Sequence, residues 1–103
     1  MLDPQKLKNL ADRIHVETQL ESIRRGYTNE VHRPDSRVTI IPGRKFTKID
    51  VGSSGKYMID NETGEIFGIK AYGVVHRRHR FGTLETIDQF TWGGYVAQLR
   101  HSE

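Results

Sequence analysis

The chain has no cysteine. That excludes a disulfide framework and thiolate metal sites, and it fits a reducing compartment. Long apolar runs are also missing: none approaches the ~18 residues a membrane span needs. The opening stretch MLDPQKLKNLADRI lacks the apolar region of a signal peptide, so a soluble, cytoplasmic protein is expected. Hydrophobic residues make up 35% of the 103, below the usual share for a globular domain. One modest core is expected, with little room for an enclosed active site and some dependence on a partner or an oligomer. Internal repeats and low-complexity tracts are absent, and residues 1–103 read as one domain.

Charge is unevenly placed. Residues 1–36 hold six basic and six acidic side chains, residues 37–83 hold nine and four, and residues 84–103 hold one and three. The middle segment carries the positive excess, and a localised excess points to a polyanionic partner, either nucleic acid or an acidic protein surface.

Residues 1–26 read as a helix. Asp3 is the expected N-cap, Pro4 suits the first helical position, Arg24 and Arg25 suit the last turn, and Gly26 follows. Its apolar residues form two stripes. Leu7, Leu10, Ala11 and Ile14 share one face; Val16, Leu20, Ile23 and Tyr27 share another, nearly opposite. A helix on one core keeps a single stripe. Either the helix breaks near His15, or one stripe packs on its own domain and the other on a second chain. The second arrangement is preferred, with Leu7, Leu10 and Ile14 assigned to a partner or to self-association.

The rest, 37–103, reads as a β-rich body. RVTII at 37–41 and KFTKIDV at 45–51 alternate as strands do, and GSSG at 52–55 reads as a flexible loop. KYMID and EIFGIKAY around NETG form a hairpin at about 56–72, and Gly68 within it marks a bulge or a close approach. A short helix at about 83–91 begins at Thr83, and YVAQL at 95–99 is a final edge strand. The fold class is α+β: a long N-terminal helix, an antiparallel sheet of three to five strands and a short second helix.

Three stretches bear on function. GSSGK at 52–56 lacks the spacing of a phosphate loop and leads into a strand, so a nucleotide site is rejected. WGGY at 92–95 sets Trp92 and Tyr95 around two glycines; both are candidates for a partner interface, while the plainer reading, that Trp92 closes the end of the core, is the favoured one for this stretch. VVHRRHRFGTL at 74–84 packs His76, Arg77, Arg78, His79 and Arg80 into five positions. A metal needs both histidines on one face, which a helix gives at this spacing and a regular strand does not, and the arginines repel a cation. No nucleophile or paired carboxylate marks an enzyme, and no cofactor is expected. The preferred reading is anion recognition, in which arginine forks hold phosphate and Tyr72 stacks on a base, supported by Arg44, Lys45, Lys48, Lys56 and Lys70. The expectation is a small non-enzymatic nucleic-acid-binding protein. The alternative is an assembly, adaptor or inhibitor subunit that docks on a larger complex through its helix and basic surface.

Overall fold

Helix α1 runs unbroken through Pro4–Arg24. Its start is built by Asp3, whose Oδ1 accepts the Gln5 N–H at 2.9 Å, and its end is closed by the Gly26 N–H, which donates to the Ile23 carbonyl. The computed structural model describes residues 2–24, 26, 37–52, 54–93 and 97–99. Among these, no helix is long and apolar enough to cross a membrane.

Five strands follow in sequence order as one antiparallel sheet: β1 (Val38–Ile41), β2 (Phe46–Val51), β3 (Ser54–Asp60), β4 (Glu65–Ala71) and β5 (Val74–Thr83). A 3₁₀ turn, Ile87–Gln89, leads to β6 (Phe90–Thr91), which pairs with β7 (Gln98–Leu99). The architecture is α+β with the expected long helix, sheet and hairpin.

The β3–β4 hairpin is closed by its own side chains. Asp60 Oδ1 accepts the Glu62 N–H at 2.8 Å, the Gly64 N–H donates to the Asp60 carbonyl at 2.8 Å, and Gly64 takes the φ of +74° that this turn requires. Asn61 ties this turn to the β1–β2 turn: its Nδ2 donates to the Gly43 carbonyl at 2.8 Å, and its Oδ1 accepts the Thr47 hydroxyl at 2.7 Å.

Two local expectations change. Ser54 and Gly55 of the GSSG stretch belong to β3 and not to a flexible loop, because Val51 already pairs with Ser54 and Asp50 with Gly55. The expected helix at 83–91 shrinks to one 3₁₀ turn: β5 extends to Thr83, β6 begins at Phe90, and the backbone bonds between them reach back three residues, from the Thr86 N–H to the Thr83 carbonyl and from the Gln89 N–H to the Thr86 carbonyl. Thr86 Oγ1 accepts the Thr83 N–H at 2.9 Å, and Thr83 Oγ1 accepts the Glu85 N–H at 3.1 Å.

The core lies on one face of the sheet. Ile49, Tyr57, Ile59, Ile66 and Phe81 meet Leu10 and Ile14 from α1 and Leu84, Ile87, Trp92 and Ala97 from the C-terminal segment. Tyr57 stands edge-on to both Phe81 and Trp92, with centroids 5.4 Å apart in each pair. Trp92 is buried with its indole N–H on the Ile87 carbonyl at 2.9 Å, and its backbone N–H donates to Glu17 Oε1 at 2.8 Å. It therefore closes the core and is not open to a partner. Tyr95 lies outside the described residues.

The helix stripes are the reverse of the assignment made from the sequence. Leu10 and Ile14 are buried in the chain's own core and Leu7 packs against it, whereas Val16, Leu20 and Ile23 are half exposed. Periodicity establishes that there are two stripes; only the packing selects the inner one. Leu10→Ala is expected to lower the unfolding free energy by about 2–5 kcal/mol. Leu20→Ser should change it by less than about 0.5 kcal/mol, since that side chain is already in solvent. Urea denaturation of the two variants reads the difference.

Candidate functional site

Side chains directly opposite each other on antiparallel strands share a face. The pairs Ile41–Lys48, Lys48–Met58, Met58–Phe67 and Phe67–Arg80 therefore form one row across all five strands. This row lies on the side of the sheet away from α1. The alternation of β2 adds Phe46 and Asp50 to it.

Cations and aromatic rings interleave on this outer face. The Phe46 and Phe67 rings meet edge-on at 6.3 Å. The Arg77 guanidinium lies 5.8 Å from the centre of Phe46, and that of Arg80 lies 5.8 Å from the centre of Phe67. Lys48 Nζ sits 4.9 Å over the Tyr72 ring, and Lys45 Nζ sits 5.8 Å from Phe46. Each such contact at an exposed site contributes about 0.5–1 kcal/mol. Arg80 Nε donates to the Arg77 carbonyl at 3.1 Å and stands 3.7 Å from Glu65 Oε2. The Tyr72 ring is 57% exposed, and its hydroxyl donates to Asp50 Oδ2 at 3.2 Å. The carboxylate beside it raises the Tyr72 phenol above its ordinary value, so the ring stays neutral.

The five-residue cluster of β5 is divided between the two faces by a bulge. Phe67 pairs with Arg80, yet the adjacent Gly68 pairs with His76, so residues 77–79 are extra on β5. Arg77 and Arg80 go to the outer face. His76 and His79 go to the core side, where a Cβ on Gly68 would stand 3.1 Å from the His79 Cβ and 3.4 Å from the Phe81 ring. The two imidazoles stack with centroids 3.9 Å apart and 5° between planes. A regular strand would have separated them.

This geometry bears on the metal alternative. Ring nitrogens bind a metal along lone pairs in the ring plane. Two parallel planes 3.9 Å apart do not converge on one ion. A metal site here needs further ligands, for which His32, Glu85 and Asp88 are the candidates: Glu85 pairs with Lys6 and Asp88 with Arg13, and His32 lies outside the described residues. The His76 imidazolium is disfavoured by burial and by the nearby charges of His79, Lys70 and Arg78, which together hold it below the ordinary imidazole value.

The basic residues assigned from the sequence thus separate into groups. Lys45, Lys48, Tyr72, Arg77 and Arg80 come together on the outer face. Lys70 alternates with Ile66 and Gly68 on the core side and acts on His76. Arg44 is exposed in the β1–β2 turn, and Arg78 is exposed in the bulge. Lys56 is half-buried at the β2–β3 register shift, where burial pushes its ammonium down. Sequence reasoning missed Phe46 and Phe67 as part of the basic face. Their shared parity with Lys48 was the available signal, but it becomes usable only once the strand pairing is known. A shallow groove of about 400 Å³, lined by Asn9, Asp12, Arg13, Val16, Ile87 and Asp88, runs beside the exposed stripe of α1.

No family model matches the chain, and none of the curated proteins or solved structures matches it.

The depressed His76 makes stability depend on pH. An unfolded histidine protonates near pH 6.5, while the folded one resists, so the unfolded chain binds more protons and gains on the folded one as pH falls below that value. Unfolding free energy should therefore decline from about pH 7 to about pH 5.5, and His76→Gln should make that decline shallower. Denaturant titrations of both proteins across the window measure the slopes.

Proposed function

We propose that the protein binds single-stranded nucleic acid, without catalysis, on the outer face of its sheet. The observation that carries the reading is the interleaving of exposed Tyr72, half-buried Phe46 and buried Phe67 with Lys45, Lys48, Arg77 and Arg80 on the face that α1 does not cover. Bases stack on rings while cations follow the phosphates. Tyr72 is the open platform, and Arg77 and Arg80 leave their rings to meet phosphate oxygens. Magnitudes favour that exchange: an exposed cation–ring contact is worth about 0.5–1 kcal/mol, a stacked base about 1–3 kcal/mol, and an arginine fork on phosphate adds a charge-assisted bond.

An assembly, adaptor or inhibitor subunit is the second reading. The half-exposed Val16, Leu20 and Ile23 favour it, and the basic face would then meet an acidic protein surface. Its sign is self-association that Leu20→Ser with Ile23→Ser abolishes, alongside no affinity for nucleic acid.

Fluorescence anisotropy of labelled single-stranded DNA, RNA and duplex DNA across salt concentrations tests the first reading. Four engaged cations predict a log–log salt slope of about −3 on single strands. Arg77→Ala with Arg80→Ala should weaken binding to all sequences alike and flatten the slope by about 1.4. Tyr72→Ala should lose about 1–3 kcal/mol while leaving the slope in place. Absence of binding at low salt rejects the reading.

A further inference from the structure

The stacked histidines are not used by the outer face. They lie on the opposite side of the β4–β5 ladder, over Gly68, and among the described residues the charges that act on His76 are all positive: His79 from β5 itself, Lys70 from β4, and Arg78 from β5. His79 is exposed and His76 half-buried, and the His76 Nδ1 is shielded from solvent with no partner beyond its own residue among the described residues. Parallel rings at 3.9 Å are a comfortable contact for neutral imidazoles. Two imidazolium rings at that distance repel each other, and Lys70 and Arg78 add to the repulsion. Among the described residues, no anion offsets the cluster when it is protonated.

We infer that His76, His79, Lys70 and Arg78 form a second binding site, on the core side of the β4–β5 ladder, that takes one phosphate group together with a proton. The phosphate accepts hydrogen bonds from ring N–H groups and from the cationic side chains, and its charge offsets theirs. Protons tighten phosphate binding, and phosphate raises the histidine midpoints by the same factor, because linkage is reciprocal. The inference rests on the nucleic-acid reading for one point only, the source of the phosphate. A strand that crosses the outer face and turns around the edge of β5 would supply a phosphodiester; free phosphate offers the same chemistry.

Histidine-ring NMR of the full chain separates these cases. The five histidines are titrated from about pH 8 to about pH 5, at matched ionic strength, in chloride, in inorganic phosphate and with a short single-stranded oligonucleotide. The expected result is that phosphate raises the His76 and His79 midpoints by about 0.5 or more, a roughly threefold gain in affinity, while His15 on α1 stays in place. Lys70→Ala with Arg78→Ala, both at exposed positions, should remove the shift, as should His79→Gln on the remaining ring. A shift with inorganic phosphate and none with the oligonucleotide supports the site and counts against nucleic acid as its source. Oligonucleotide that binds without pH dependence, with both midpoints unmoved in either ligand, overturns the site and leaves the outer-face reading standing. Midpoints that move equally for all described histidines overturn it as well, since that is a general salt effect.

Discussion

One helix of 21 residues can cover only one face of a five-stranded sheet, and the rest of the molecule follows from that limit. The covered face is closed by Leu10 and Ile14 from one side and by Trp92 and its neighbours from the other. Trp92 is the joint between them. Its ring packs on Tyr57, its indole N–H is satisfied by Ile87, and its backbone N–H reaches Glu17 on the helix. A buried indole with an unmet N–H would cost about 1–3 kcal/mol, so the 3₁₀ turn that presents the Ile87 carbonyl is part of the core.

The face that α1 leaves uncovered carries aromatic residues of graded exposure, with Phe67 buried, Phe46 half-buried and Tyr72 open to solvent. Arginine and lysine side chains share this face. Their charged ends lie over Tyr72, Phe46 and Phe67, where the faces of the rings attract them. The same arrangement makes the face attractive to a ligand offering both flat rings and negative charge. The bulge in β5 adds a second consequence. Three extra residues release two arginines to one side and bring two histidines together on the other. One run of five residues therefore serves two surfaces of different chemistry.

Local chemistry made much of the fold legible. Asp3 and Pro4 mark the start of α1, the Asn61–Gly64 turn marks the hairpin, and the alternation of KFTKIDV marks β2. These features act over a few residues, where spacing alone sets geometry. The failures also have physical causes. The segment at 83–91 has helical spacing of Leu84 and Ile87, but β5 runs on to Thr83 and β6 begins at Phe90, which leaves room for a single 3₁₀ turn. The two stripes of α1 are equally apolar in sequence, so only the shape of the facing sheet decides that Leu10 goes inward and Leu20 outward.

By itself the sequence determined the α+β class, the long helix, the antiparallel pairing and the concentration of positive charge between residues 37 and 83, because each is set by local propensity, periodicity or composition. Tertiary structure alone decided which basic residues share a surface. That depends on strand register and on one bulge, and a slip of one residue sends every side chain to the other face. The face that joins Arg77 and Arg80 to Phe46 and Phe67, and the stack that joins His76 to His79, are products of pairing between distant segments, which no count along the chain can supply.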